Sequence, residues 1–502
     1  MTKDNGKGEA ELLNMDRVKI DPAWALRVPS TLALRRLVLP FAVLNGEVYV
    51  ACADTEDTAA LEAVERHLAG QRIVAKLAER ESLQRALARV YSDAPRSSTR
   101  IAARPGAAAD GEGDDAVSVS QDLLHAAIIR GASDIHIEPG RENVRVRFRV
   151  DGVLEEFQRL PLAREAGLIS RLKVMSGMDI AEKRAPQDGG FAHRIGAGVN
   201  ARNVDIRAAT LPTKYGEKMT LRLLGLQTGA LTLEKLGMCP ADLERMEHVL
   251  SQPHGLLLLT GPTGSGKTTT LYAAIQRLIK SAELNIITIE DPIEYEIAGV
   301  SQVEVDSGEK VSFSRALRSV LRHDPDVVMI GEIRDADTLD IAIKSSLTGH
   351  LVLSTLHTNT AAGAVTRLAD MGLARFMIAA TLRLCVAQRL VRKLCPDCRA
   401  PRPLTEAEAA LLGGAKYTGQ TVFEPTGCVY CAGRGYSGRL GLFEMMTVND
   451  EVCSHVGTGM PEHELTAAMK AKGMATLIDD AREKIFMGLT TVREALNAVA
   501  TW

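Results

Sequence analysis

The run Gly255-Leu256-Leu257-Leu258-Leu259, followed by Gly261-Pro262-Thr263-Gly264-Ser265-Gly266-Lys267-Thr268, decides how the chain is read. Its first part reads as a buried strand. Its second part fits the phosphate-loop pattern G-x-x-x-x-G-K-[ST]. Thr269 to Ile279 follows with the apolar spacing of a helix. Strand, glycine turn and helix are the context that pattern needs. The glycines let backbone N–H groups curl around phosphates, and the helix N-terminus adds partial positive charge. Lys267 is placed to reach the β- and γ-phosphates, and the Thr268 hydroxyl to ligate Mg²⁺. A glycine-rich turn without a ligand is the competing reading, and the full eight-residue pattern in this context argues against it.

Three further strands are expected downstream. Leu284 to Ile289 ends in Glu290-Asp291-Pro292-Ile293-Glu294, Val327 to Ile330 in Gly331-Glu332-Ile333-Arg334-Asp335, and Leu351 to Thr355 in Leu356-His357. Open α/β sheets bind ligands at the carboxyl ends of their strands. Phosphoryl transfer needs acids near the metal and cations near the γ-phosphate. Glu332, on a Walker B-like strand, and Glu290 are therefore the candidate catalytic acids, with Asp291 and Glu294 beside Glu290. The alternative for each is an acid that caps the next helix. His357 reads equally as a γ-phosphate sensor or a satisfied core histidine. Arg318 and Arg322 share a helix face, and either salt-bridge locally or reach phosphate.

At 502 residues the chain has room for three or four domains. It is 46% hydrophobic and 25% charged, an ordinary globular balance. The formal net charge of −3 and the lack of a basic stripe with interleaved aromatics argue against nucleic acid. The polar N-terminus does not look like a signal peptide, and no run approaches the ~18 apolar residues of a membrane span. A cytoplasmic location is expected, with any membrane contact made through a partner.

Composition and periodicity divide the chain into a flexible N-terminus (1–22), a small α/β docking domain (23–91), and a linker (92–117). A middle α/β domain (118–228), the phosphate-loop domain (229–394), a cysteine module (395–440) and a helical C-terminus (441–502) follow. In the middle domain Arg145, Arg147 and Arg149 lie on one face of a strand, and Arg207 and Arg222 on further strands. Cys395-Pro396-Asp397-Cys398 and Cys428-Val429-Tyr430-Cys431 give four thiolates suited to a structural Zn²⁺. A redox role is the rival for either pair alone. Cys52, Cys239, Cys385 and Cys453 read as lone core cysteines.

Together the motifs resemble the type II secretion ATPases of the secretion and type IV pilus assembly superfamily. The stretches that carry the resemblance are GASDIHIEP (131–139), VRFRVDG (146–152), AEKRAPQDG (181–189), GPTGSGKTTTLY (261–272) and ITIEDPIEY (287–295). LRHDPDVVMIGEIRD (321–335), TGHLVLSTLHTN (348–359), AQRLVRKLCPDC (387–398) and GCVYC…GRLGLFE (427–444) complete them. The resemblance implies a multidomain α/β protein. It has a RecA-like nucleotide domain, a PAS-like middle domain, a small N-terminal domain and a tetracysteine zinc module. It implies ATP, Mg²⁺ and Zn²⁺, a homohexamer, and functional roles for Arg207, Arg222, Arg318 and Arg322. It further implies docking on an inner-membrane secretion-platform protein, sensitivity to acidic phospholipid, and assembly of a pseudopilus. Two departures stand out: Gly190, where the family usually has Arg, and an unusual helix at Thr381 to Val386. A type IV pilus assembly ATPase is the close rival. A nucleotide-dependent scaffold without turnover is the rival from another class, and the acids Glu290 and Glu332 argue against it.

Overall fold

A computed structural model describes residues 12–68, 70–91, 112–195, 202–225, 232–281, 283–305 and 312–500. The chain divides into two compact units: Met1–Leu226 with Cys395–Arg399 and Pro425–Ser437, and Gln227–Leu394 with Ala400–Glu424 and Gly438–Trp502.

The first unit opens with strands β1 (Val38–Leu44), β2 (Glu47–Cys52) and β3 (Ile73–Leu77), in that spatial order. Asn45 and Gly46, both at positive φ, turn β1 into β2. Residues 12–22 differ from the loose N-terminus expected. Leu13 bridges to Ala78, and Met15, Val18 and Ile20 are buried in this core. Burial of four apolar residues offsets much of the cost of ordering the segment, and hydrogen bonds such as Leu13 N to Leu77 O at 2.9 Å and Met15 N to Ser82 Oγ at 3.0 Å help to hold it. Of the expected linker, 92–111 lies outside the described residues. The rest begins the helix Glu112–Arg130.

Six strands follow: β4 (Asp134–Pro139), β5 (Asn143–Val150), β6 (Val153–Pro161), β7 (Gln187–Ile195), β8 (Arg202–Thr213) and β9 (Gly216–Leu223). They pair antiparallel in the order β6-β5-β4-β9-β8-β7. Alternation sends Ile135, Ile137, Val146, Phe148, Ile206 and Leu221 into the core. The other face carries the charge. In one cross-strand row Gly190 faces Arg207, Arg207 faces Arg222, Arg222 faces Asp134, and Asp134 faces Arg149.

The second unit is built on β10 (Gly255–Thr260), β11 (Ile286–Glu290), β12 (Ser301–Glu304), β13 (Val327–Ile330), β14 (Leu351–Leu356) and β15 (Leu382–Leu394). A two-stranded ribbon of β16 (Arg399–Pro403) and β17 (Thr421–Pro425) precedes β18 (Tyr436–Thr447). The seven-stranded order is β12-β11-β13-β14-β10-β15-β18, with β10 parallel to both neighbours. A parallel central strand is covered on both faces, so an unbroken apolar run suits it. Leu256 and Leu258 join one core, Leu257 and Leu259 the other. The helix expected across Thr381 to Val386 is corrected here. A helix, Arg375–Thr381, ends where β15 begins, and Leu384 to Ala387 are buried beside β10. Periodicity alone does not separate a buried helix from a buried strand.

Candidate nucleotide and thiolate sites

The loop between β10 and the helix Lys267–Ser281 has Gly261, Gly264 and Gly266 at positive φ. A Cβ on Gly261 would meet Gln388 O at 2.5 Å, Ser265 Oγ at 2.7 Å and Arg389 Nη1 at 3.1 Å. Glycine is therefore required there for close approach as well as for backbone freedom. Lys267 is buried and donates to Gly261 O at 2.7 Å and Pro262 O at 3.1 Å. Its ammonium is held on the loop's own carbonyls, the posture of a group waiting for an anion. Burial pushes the Lys267 pKa down to about 8, with Glu332 pulling the other way. Ser265 Oγ is buried and, among the described residues, has no hydrogen-bond partner. Thr268 is half-buried in the first turn of the helix.

The acids divide. Glu290 is buried at the end of β11 and takes three side-chain donors: Tyr272 OH, Thr288 Oγ1 at 2.6 Å and Gln302 Nε2 at 3.1 Å. Asp291 pairs with Arg334 at 3.5 Å. Glu332, just past β13, is paired with Arg334 and lies 3.2 Å from His357 Nε2. Burial raises its pKa, yet Arg334 and His357 outweigh that and the net shift is downward. His357 is half exposed rather than a core histidine. Thr358 N donates to Thr260 Oγ1 at 2.7 Å and thereby ties this loop to the end of β10. Glu290, Glu332, His357, Lys267 and Thr268 all lie at or beyond the carboxyl ends of β10, β11, β13 and β14. Arg318 and Arg322 are exposed around the end of the helix Phe313–Val320, where Arg322 donates to Arg318 O at 3.0 Å. Arg207 and Arg222 belong to the first unit; Arg222 Nε donates to Asp134 Oδ1 at 2.9 Å.

Sequence reasoning passed over Arg334, Gln388, Arg389 and Asn359. A cavity of about 480 Å³ opens beside the phosphate loop, lined by Pro262 to Ser265, Asn359, Arg389, Leu390, Asn497, Ala498 and Ala500. Gln388 and Arg389 lie just past the helix expected at Thr381 to Val386, on a strand that also carries Arg383, Arg392 and Lys393, so their polarity did not single them out.

The four cysteines come together in the first unit, every Sγ within 4.8 Å of the others. Cys395–Cys428, Cys398–Cys431 and Cys428–Cys431 are each 3.8 Å apart. A tetrahedron with metal–sulfur bonds of about 2.3 Å has edges of about 3.8 Å. Two backbone amides, Cys428 N at 3.2 Å and Gly435 N at 3.1 Å, donate to Cys431 Sγ, as outer partners of a metal thiolate do. The set therefore fits Zn²⁺. Of the other cysteines, Cys52 and Cys385 are core residues, and Cys239 and Cys453 are partly exposed.

A family model described as type II/IV secretion system protein matches residues 112–497. The chain belongs to that family. A second model, the MshEN domain, matches residues 9–97. Type II secretion system protein E of Pseudomonas aeruginosa is 42% identical over 94% of this chain and 96% of its own length. Type II secretion system ATPase E of Vibrio cholerae is 45% identical, covering 76% of each chain. Among solved structures, the pilus retraction motor PilT with bound ADP is similar at 28% identity and a TM-score of 0.51, over 75% of this chain and 95% of that one. The Legionella pneumophila ATPase DotB, at 22% identity and a TM-score of 0.55 over 75% of this chain and 94% of its own, shares the fold. The protein is thus an ATPase of the secretion family.

Because Lys267 titrates near pH 8 and a bound phosphate favours its charged form, nucleotide binding must take up a proton above that pH. ADP affinity of this secretion ATPase should be flat from pH 6.5 to 7.5 and fall towards tenfold per unit above about 8. Calorimetry in buffers of different ionisation enthalpy should show the matching proton uptake; affinity independent of pH up to 9.5 would refute it.

Proposed function

We propose that this chain hydrolyses ATP to power type II secretion. It would work as a hexamer on the cytoplasmic face of the inner membrane and drive pseudopilus assembly. The single observation that carries the catalytic part is the buried Lys267 ammonium on the Gly261 and Pro262 carbonyls, with Glu332 and His357 at the ends of neighbouring strands. Residues 261–268 would cradle the phosphates, and Thr268 would hold Mg²⁺, whose charge neutralises phosphate oxygens when bound. Glu332, kept ionised by Arg334, would orient the attacking water or hold a water of the metal. Glu290 would steady the end of β11 through Tyr272, Thr288 and Gln302. The resemblance supports a docking role for the N-terminal domain, within which residues 9–97 match the MshEN domain. The resemblance supports a secretion-platform protein as its partner and a stimulatory role for acidic phospholipid. Among the described residues no helix is long and apolar enough to cross a membrane. The similar solved structure named for pilus retraction keeps a pilus motor as the second reading.

Lys267→Ala should abolish ADP binding and turnover together. Glu332→Gln should retain binding and lose turnover by about two orders of magnitude or more, a loss confined to the transition state. Equal losses of binding in both variants would sink the division of roles.

Arg207 and Arg222, opposed across β8 and β9, are cations outside the phosphate-loop unit. We assign them to completing the site on assembly. Turnover per subunit should rise when the protein is fused to a hexameric scaffold, and Arg207→Ala or Arg222→Ala should remove that rise while ADP binding persists. Indifference to both substitutions would leave them as surface ion pairs worth about 0–1 kcal/mol.

The four thiolates should hold one Zn²⁺ per chain. Metal analysis should find it, and Cys428→Ser should lower thermal stability, because metal binding contributes folding free energy directly. Zinc-free protein of unchanged stability would overturn this assignment.

A further inference from the structure

Arg389 sits on β15, 7% exposed, immediately beside the phosphate loop. Its guanidinium donates to Gln388 O at 3.0 Å and to Asn359 O and Oδ1 at 3.1 Å each. All three acceptors are neutral. Among the described residues no carboxylate forms an ion pair with it. The acid that acts on it most, Glu444, is itself buried and spends its oxygens on the amides of Ala361, at 2.8 Å, and Leu477, at 3.4 Å. Every Arg keeps its charge, and a buried charge without a counter-ion is costly. The cost is tolerated where a counter-ion arrives from outside.

The position says which. Arg389 Nη1 and Ser265 Oγ both crowd the place a Cβ of Gly261 would take, at 3.1 and 2.7 Å. Both residues line the cavity that the loop opens onto. Ser265 Oγ, buried and without a partner among the described residues, is a second donor awaiting an oxygen. We propose that Arg389 contacts a phosphate of the bound nucleotide from within the same subunit, as the counter-ion that the fold omits. This rests on reading residues 261–268 as the phosphate loop. Through Asn359, two positions from His357, the same guanidinium links phosphate occupancy to the loop that carries His357.

The test separates this contact from a packing role. Arg389→Met removes the buried charge and keeps much of the stem's volume. The nucleotide-free variant should melt at or above the wild-type temperature, since an unpaired charge has gone. Its affinities for ADP and for inorganic pyrophosphate should fall about 10- to 100-fold, the range of a lost charge-assisted contact. Affinity for adenosine should not change. Arg389→Gln retains hydrogen bonding to Asn359 and serves where the methionine variant folds poorly; it should show the same phosphate-dependent loss. A folded variant that binds pyrophosphate as tightly as wild type overturns the proposal. A wild-type protein that binds neither ADP nor pyrophosphate would instead defeat the phosphate-loop reading on which it rests.

Discussion

Both faces of β10 must be buried, and the nucleotide unit depends on that constraint. Four consecutive leucines achieve it by splitting alternately between two cores. With its neighbours parallel on either side, the strand has little freedom to slip, since a one-residue shift would exchange the cores. The glycine loop at its carboxyl end is therefore launched from a fixed point. The acids after β11 and β13 and the histidine after β14 arrive at the same edge because these strands run parallel in register.

That constraint also explains how far the sequence could be read. Period and punctuation identified β10, the loop and the helix behind it, because Gly-rich turns between apolar strand and amphipathic helix have few alternatives. The pairs of cysteines were legible because thiolate spacing is itself the chemistry. Two things were hidden. Residues 382–394 form a long buried strand whose apolar run has no telling period, so Gln388 and Arg389 lost their context. The order at Met15, Val18 and Ile20 depends on a core supplied by residues far along the chain, which local composition does not reveal.

The charged face of the six-stranded sheet illustrates a different limit. Alternation placed Arg145, Arg147 and Arg149 on one face, and register adds that Arg207 and Arg222 are directly opposed. Glu138 answers part of this charge, pairing with Arg147 at 2.7 Å and Lys218 at 2.9 Å, and Asp134 answers Arg222. In that row it is the register of the paired strands, and no single strand, that brings Arg149, Arg207 and Arg222 alongside Asp134.

The first unit is completed by residues that lie near the other end of the chain. Lys19 N donates to Tyr430 O at 2.8 Å, Arg17 pairs with Asp397 at 2.6 Å, and Val429, Tyr430 and Ala432 pack on the N-terminal core. On the ribosome these partners emerge about 20–80 s apart at ordinary elongation rates of roughly 5–20 residues per second. The N-terminal unit must therefore wait, with that part of its core open, until most of the nucleotide unit has been synthesised. Birth order and spatial order are at odds in this protein, and its earliest-made part is among the last to be finished.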